Sequence, residues 1–551
     1  MLSRRDEFRQ LLVLAVLCIF LFFFGLANFG LVGADEPRYA QIGREMFTRS
    51  DWVTPRLHGE VWLEKPVLYY WLEMVSYKLF GVSDWAARLP AAVLGAILIA
   101  AIYFFARRFR AGSQMEAAMI TASSVAIFGF ARGVSTDMPL AVFCVLALLA
   151  WWAFFETQQR IWLVGFYVSL ALATLAKGPI ALVLAGLVLG AFAALLRDFK
   201  ILLRTLWLPG IAVFCAVALP WYVLVQLRNP QFFSEFILRH NLARFSTDLF
   251  RHSRPFWYFV PVLLVGLLPW TTLSVAGAVK AFRTWRIERQ PYSLFLLLWG
   301  VIPVIFFSLS ESKLPGYILP AIPAWTLLAA DYLHTSLREQ KKNPGALIAT
   351  HGLASAIVVA AVVLAPRFML ERHPHFGLSL LLGVLAVAAA TFLFVAGIIL
   401  WRGTGMVRFV TLIPLLVSVA YVVRLAAPLI DLTQSARPVA KNIEQVNSPM
   451  AAFKVPRALE YGLGFYRDQR IARYERGEVP EQGHFLLAAE GTQKELESFL
   501  LQRARQLSRP GSQENLPTCD SLADGELLRP VGAFPAQRIE YYRIKKTVLC
   551  R

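Results

Sequence analysis

Residues 11–47 read LLVLAVLCIFLFFFGLANFGLVGADEPRYAQIGREMF, and this stretch decides the class of the chain. From Leu11 to Val32 no charge interrupts the run. At about 1.5 Å per helical residue it is long enough to cross a hydrocarbon layer of roughly 30 Å. With MLSRRDEFRQ before it and small residues at its end, the run resembles a secretory signal. It exceeds the roughly 7–15 apolar residues of such a signal, so it reads as an uncleaved first helix. Asp35 and Glu36 follow immediately, at the expected membrane–water boundary, with Arg38 and Arg44 at helical spacing. Solvated charges on an interfacial helix are the plain reading of this block. Acids beside hydrocarbon are costly, however, and mark a site.

The rest of the chain extends the pattern. Of its 551 residues, 57% are hydrophobic and 17% charged, against about 25% charged in a soluble protein. Apolar runs predict spans near 11–32, 89–106, 116–131, 138–156, 161–176, 179–196, 205–227, 257–279, 292–309, 316–334, 346–365, 377–400 and 408–428. Thirteen spans put the two termini on opposite sides. Alternate connectors carry Arg4, Arg5 and Arg9; Arg107, Arg108 and Arg110; Arg160; then Arg197, Lys200 and Arg204. The series continues through Lys280 and Arg283, Arg338 and Lys341, and Arg402 and Arg408. Positive connectors stay in the cytoplasm, which places the N-terminus inside and the C-terminus outside. The formal net charge of +19 is therefore membrane orientation, and nucleic acid is not an expected partner.

The expected fold is an all-α polytopic membrane domain of about 13 helices over 1–430, with a small α/β domain over 431–551. In that tail, MAAFKV, IARY, HFLLAA and IEYYRIKK read as strands and TQKELESFLLQRARQL as a helix. The tail has no glycine-rich phosphate loop, and no chemistry or nucleotide cofactor is assigned to it. Cys18, Cys144 and Cys215 fall in apolar runs as small hydrophobes. Cys519 and Cys550 fall in the tail, on the side where a disulfide can form.

The outside receives loop 33–88, a short segment near 132–137, loop 228–256 and the tail. Asp137 starts the fourth span on the same face as Asp35, so two acids distant in sequence meet one face at similar depth. VWLEKPVLYYW brings Glu64 and Lys65 beside Pro66 and an aromatic belt; a lysine there suits a lipid phosphate. Lys177, in LAKGPIA, sits between two spans with almost no loop, where a snorkelling helix cap is the plain reading. Loop 228–256 offers Arg228, Arg239, His240, Arg244, Arg251, His252 and Arg254. Basic residues outside break the charge rule and argue for anionic headgroups. Glu64 and His252 alone make a weak case for a divalent ion. FFSLSESKLPGYILPAIPA adds Glu311, Lys313 and Tyr317 among helix breakers, which are tolerated at membrane depth where backbone lines a cavity.

DEPRYAQIGREM, SDWVTPRLHG, EKPVLYYW, LAKGPIAL, RHSRPFWYFVPVLLVGLLPW and FFSLSESKLPGYIL, in this order over about 35–325, resemble the bacterial aminoarabinose transferases that modify lipid A. These are glycosyltransferase family 83 of the GT-C superfamily, with protein O-mannosyltransferases as distant relatives. The resemblance implies Asp35 and Asp137 as the essential acids, and Lys65 with Tyr317 on the polyprenyl phosphate. It groups Arg38 with these and implies Glu64 and His252 as a divalent-metal pair. Lys177 is expected to assist at the donor phosphate, and Arg244, Arg251 and Arg254 to meet the acceptor headgroup. Trp62 stands where the family pattern leads one to expect a phosphate-contacting tyrosine, and its indole N–H is a partial substitute. The implied partners are an undecaprenyl-phosphate sugar donor, lipid A or another periplasmic acceptor, and membrane lipids, in the inner membrane. A polyprenyl-phosphate mannosyltransferase is the nearest alternative. A flippase of the same lipid is a different class, disfavoured because the titratable residues cluster at one face and the sequence offers no midspan acid pair or paired broken helices.

Overall fold

The computed structural model describes residues 3–243, 254–338, 345–370, 377–445, 448–507 and 530–544. Among them, seven helices are long and apolar enough to cross a membrane: Asp84–Phe109, Asp137–Thr157, Leu208–Arg228, Pro291–Ser308, Gly345–Phe368, Leu378–Arg402 and Val407–Gln434. An eighth span is Phe256–Gly266 with Thr271–Glu288, if the two are counted together across their 112° bend. Two more apolar helices, Ile161–Lys177 and Ile180–Leu196, are shorter.

Hydropathy counts apolar residues but is blind to where the backbone stops being helical, and most of the shortfall from thirteen lies at such stops. The first run is α-helical only to Cys18, continues as a π-turn over Ile19–Phe23 and then leaves the helix. Ser124, extended at φ −68° and ψ 136°, splits the third run into Gln114–Ser123 and Val125–Phe130. Gly178–Pro179 separates the two shorter helices. The tenth run opens as a 3-10 turn over Pro315–Ala321 before the helix Ile322–Arg338.

The stop at Ser124 faces the bend between Phe256–Gly266 and Thr271–Glu288. The Val125 amide donates to the Leu268 carbonyl at 3.0 Å, and the Trp270 indole donates to Ser123 Oγ at 2.8 Å. The first bond satisfies a backbone amide and a backbone carbonyl at the two breaks, which hydrocarbon cannot do, and the second joins their side chains. The expectation of no paired broken helices is therefore corrected. Proline at 269 and a serine at 124 end helices individually, but their pairing is long-range and has no local signature.

Loop 33–88 is folded. It carries the helices Asp35–Arg49 and Leu68–Phe80 and a hairpin of β1 (Arg56–Leu57) with β2 (Glu60–Val61). The two helices approach closely at Gly43, where a Cβ would come within 2.4 Å of Glu73 Oε2. Glu73 is fully buried, and neither carboxylate oxygen has a hydrogen-bond partner among the described residues. Burial pushes its pKa well above the ordinary 4.5. A folded-state pKa above the unfolded one contributes stability that is full below about pH 4.5 and is lost as pH rises through the folded value. The isosteric Glu73→Gln variant is expected to unfold at a higher temperature than the wild type at pH 8. Its unfolding temperature is also expected to fall less between pH 5 and 8, as thermal unfolding in detergent will measure.

The tail forms a five-stranded sheet in the order β4 (Ile471–Arg473), β3 (Met450–Phe453), β5 (His484–Ala489), β7 (Ile539–Ile544), β6 (Gly532–Phe534). The β3 pairings are parallel, and those of β7 antiparallel. Alternation along the strands divides its apolar residues between two layers. Met450, Ala452, Phe485 and Leu487 pack with Leu459 and Leu463 of the Arg457–Arg467 helix. Ala451, Phe453, Leu486 and Ala488 pack with Leu496 and Leu500 of the Gln493–Leu507 helix. Cys519 and Cys550 lie outside the described residues.

This sheet domain is tied to loop 33–88. Arg44 donates to the Phe465 carbonyl at 2.8 Å and pairs with Asp468 at 3.0 Å. Tyr466 donates to Asp84 at 2.7 Å and accepts from the Leu31 amide at 2.7 Å. Arg437 bridges Asp84 and Asp431 at 2.9 and 2.8 Å.

Candidate active site

Asp35 and Asp137 each stand as the first residue of a helix, Asp35–Arg49 and Asp137–Thr157. A helix start favours negative charge, because its first amides are unpaired and its dipole is positive there. Asp35 is exposed and holds Arg38 Nη2 at 2.5 Å, one helical turn on. Arg38 also lies over the rings of Tyr39 and Trp62, at 5.1 and 5.2 Å. Burial disfavours its charge, but Tyr39, Asp35 and Glu64 outweigh that and hold its pKa above the usual value. The Tyr39 hydroxyl is buried and raised in pKa, chiefly by burial, with the charges of Asp35 and Asp137 adding to it. Glu36, next to Asp35, accepts from the Val134 amide at 2.9 Å, so the fold brings near each other two acids that sequence places about a hundred residues apart.

Asp137 is engaged on its other side. Lys177, at the C-terminal end of the Ile161–Lys177 helix, donates to its Oδ1. The same ammonium lies 4.6 Å from the ring centroid of Tyr317. The 3-10 turn Pro315–Ala321 presents Tyr317, whose ring packs against Phe307 and Phe259 at 4.9 and 6.5 Å. Gly316 permits the approach: a Cβ there would lie 2.6 Å from Asp137 Cγ and 2.9 Å from the Phe130 ring. Gly316→Ala is therefore expected to displace Asp137 and lower turnover by roughly 100-fold with membrane insertion preserved, read from activity against the amount of folded protein.

Of the other predicted residues, Glu64 and Lys65 sit half-buried in the bend between β2 and the Leu68–Phe80 helix, with Glu64 close enough to act on Arg38. The Trp62 indole nitrogen is buried with no acceptor among the described residues. Arg254 is exposed, whereas Arg244, Arg251 and His252 lie outside the described residues. Of the expected metal pair, only Glu64 lies among the described residues. Among the described residues no group of three His, Cys, Asp or Glu side chains exists to hold an ion. Lys313 is buried and donates to the Ser310 carbonyl, holding the backbone before the Tyr317 turn.

Glu36 belongs to the scaffold. It pairs at 2.7 Å with Arg88, which is 1% exposed, and accepts from the amides of Val32 and Val134 at 2.8 and 2.9 Å. Arg88 in turn donates to the carbonyls of Leu26, Phe29 and Gly30. One ion pair thus joins the end of the first span, the Asp35 helix and the segment leading to Asp137. Tyr461 was not expected: the Arg457–Arg467 helix places its ring 5.9 Å from Arg38. Nothing local in the tail sequence marks it, because the contact depends on docking of the sheet domain.

Comparison with known proteins gives this geometry a context. The family described as dolichyl-phosphate-mannose-protein mannosyltransferase matches residues 64–223. The crystal structure of ArnT from Cupriavidus metallidurans bound to undecaprenyl phosphate aligns with a TM-score of 0.72 and 26% identity, over 89% of this chain and 94% of that one. The undecaprenyl phosphate-alpha-4-amino-4-deoxy-L-arabinose arabinosyl transferase of Serratia proteamaculans is 31% identical over 369 residues. The chain is similar to these aminoarabinose transferases. The transferase of the same name from Yersinia pestis (strain Pestoides F) is 32% identical over 371 residues. Each of the two matches takes in 64% of this chain and 65% of the relative, just under two thirds of its length. An archaeal oligosaccharyltransferase from Archaeoglobus fulgidus shares the fold at TM-score 0.50 and 12% identity. With such relatives and its apolar helices, this is a multi-span membrane protein of GT-C fold.

Proposed function

We propose that the chain is an inner-membrane glycosyltransferase that moves 4-amino-4-deoxy-L-arabinose from undecaprenyl phosphate to a phosphate of lipid A on the periplasmic face. The observation that carries this reading is the pairing of Asp35 with Arg38 and of Asp137 with Lys177 beside Tyr317, the two sets being brought together where Glu36 accepts from the Val134 amide at 2.9 Å. That arrangement occurs in a chain similar to a transferase crystallised with undecaprenyl phosphate. The N-terminus is cytoplasmic and the sheet domain periplasmic in this reading. The broken runs also cross the membrane, which restores thirteen spans.

Transfer is a single displacement. An ionised acceptor oxygen attacks the anomeric carbon, the bond from that carbon to the donor phosphate oxygen breaks, and undecaprenyl phosphate leaves with the electron pair. The configuration inverts. Charge grows on the leaving phosphate, and Lys65, Arg38 and Tyr317 stabilise it there, preorganised electrostatic help being often the largest catalytic term. The two helix starts add to the same field. Lys177 acts through Asp137, which it neutralises and orients. A lipid A phosphate is already largely ionised, by analogy with phosphoserine and its second pKa near 6, so no base is required. Asp35 and Asp137 orient the sugar, with a carboxylate for its amino group. Arg254, with Arg244 and Arg251, meets the anionic acceptor. Glu64 and His252 are the proposed holders of a divalent ion, which when bound adds positive charge beside the phosphate.

The test is release of undecaprenyl phosphate by the purified full chain from undecaprenyl-phosphate aminoarabinose, with and without lipid A. Release that requires lipid A and is lost in Lys65→Ala is expected; release from a polyprenyl-phosphate mannose donor instead would overturn the choice of sugar. That second reading draws on the mannosyltransferase family match.

A further inference from the structure

Two helices of the candidate active site, Asp137–Thr157 and Ile161–Lys177, also line an open cavity away from it. Asp137 opens one of these helices and Lys177 closes another, whereas Leu146, Leu149, Trp162 and Ser169, farther along the same helices, line a cavity of about 1440 Å³. This exceeds the roughly 300–1,000 Å³ of a small-molecule pocket. Phe104, 48% exposed, adds to its apolar wall. The rim holds four arginines, Arg4, Arg107, Arg108 and Arg408, against two carboxylates, Glu7 and Glu116. Both carboxylates are spoken for: Arg107 takes Glu7 and Arg408 takes Glu116. Arg4 and Arg108 remain, both exposed, with no acidic partner among the described residues. Two positive charges are therefore left at the mouth of a large space whose wall is in part apolar.

We infer that this cavity binds an anionic phospholipid from the leaflet opposite the candidate active site, which the charge rule assigns to the cytoplasm. Its phosphodiester meets Arg4 and Arg108, and its acyl chains lie on Phe104, Leu146, Leu149 and Trp162. At membrane depth an apolar cavity fills with lipid chains, and uncompensated arginines at its mouth select the headgroup by charge. A soluble anion gains nothing from the apolar part of the wall at Phe104, Leu146, Leu149 and Trp162, so a lipid is the occupant that both features fit. The binding is independent of transfer chemistry, since no residue of the candidate active site takes part.

The experiment is native mass spectrometry of the full chain in mild detergent after equilibration with equal amounts of phosphatidylglycerol and phosphatidylcholine. Preferential retention of phosphatidylglycerol is expected. Arg4→Gln with Arg108→Gln is expected to reduce that preference by about an order of magnitude. Arg289→Gln with Arg402→Gln, exposed cations on the same face outside the cavity, is expected to leave it unchanged. Ser169→Phe, which puts a ring into the cavity where the acyl chains would lie and leaves the rim unaltered, is expected to lower retention of both lipids. Four results would overturn the inference: equal retention of both lipids by the wild type, an equal effect of the two double variants, unchanged retention in Ser169→Phe, or undecaprenyl phosphate as the retained species.

Discussion

Asp35→Asn is expected to insert and fold as the wild type does while losing at least about 100-fold in transfer. The substitution keeps the shape and one acceptor oxygen but removes the charge. Asp35 is exposed and its strongest structural tie is to Arg38, one turn along the same helix, so little stability depends on it. In the proposed mechanism its carboxylate orients the sugar while the cations face the donor phosphate. Losing it frees Arg38 from its partner and leaves the substrate's amino group without a counter-charge. Normal transfer by well-folded Asp35→Asn protein would remove this residue from the mechanism.

Arg88→Met is expected to have the largest effect on stability of any single change considered, about 3–5 kcal/mol. Removing one partner of a buried pair leaves the other charge uncompensated, and Glu36 would keep only the Val32 and Val134 amides. Three carbonyls of the segment after the first span, those of Leu26, Phe29 and Gly30, would lose their donor as well. The exposed pair of Arg9 and Asp6, whose side chains are 76% and 50% accessible, is the control, and Arg9→Ala is expected to cost under about 1 kcal/mol. Thermal unfolding in detergent distinguishes the two. Equal shifts would mean that the Glu36–Arg88 pair does not hold the site's scaffold together.

The contrast between Asp35 and Glu36 marks how far residues speak for themselves. Both are acids in the first turn after a long apolar run, and composition treats them alike. One faces outward beside Arg38; the other turns inward to an arginine 52 positions away, and only tertiary packing distinguishes them. The acids at 35 and 137 were legible because the charge rule put both on one face. Their nearness in the fold was not, since it depends on the long-range bond from the Val134 amide to Glu36. The strands MAAF and HFLLAA were legible from their apolar character and β-branched or aromatic neighbours, while Tyr461 beside Arg38 required the docking of the whole sheet. The paired breaks at Ser124 and Leu268 escaped for the same reason. They also remove one argument against a flippase, and the case against that class now rests on clustering of the titratable residues at one face and on the aminoarabinose transferase relatives.

The central claim is tested most directly by mass spectrometry of lipid A from a host that lacks its own transferase but makes undecaprenyl-phosphate aminoarabinose, with and without this chain. The account predicts a gain of one aminoarabinose on a lipid A phosphate when the wild-type chain is present, and none with Asp35→Asn. Unmodified lipid A despite well-inserted wild-type protein would contradict it, and would move the chemistry to a neutral sugar and a hydroxyl acceptor.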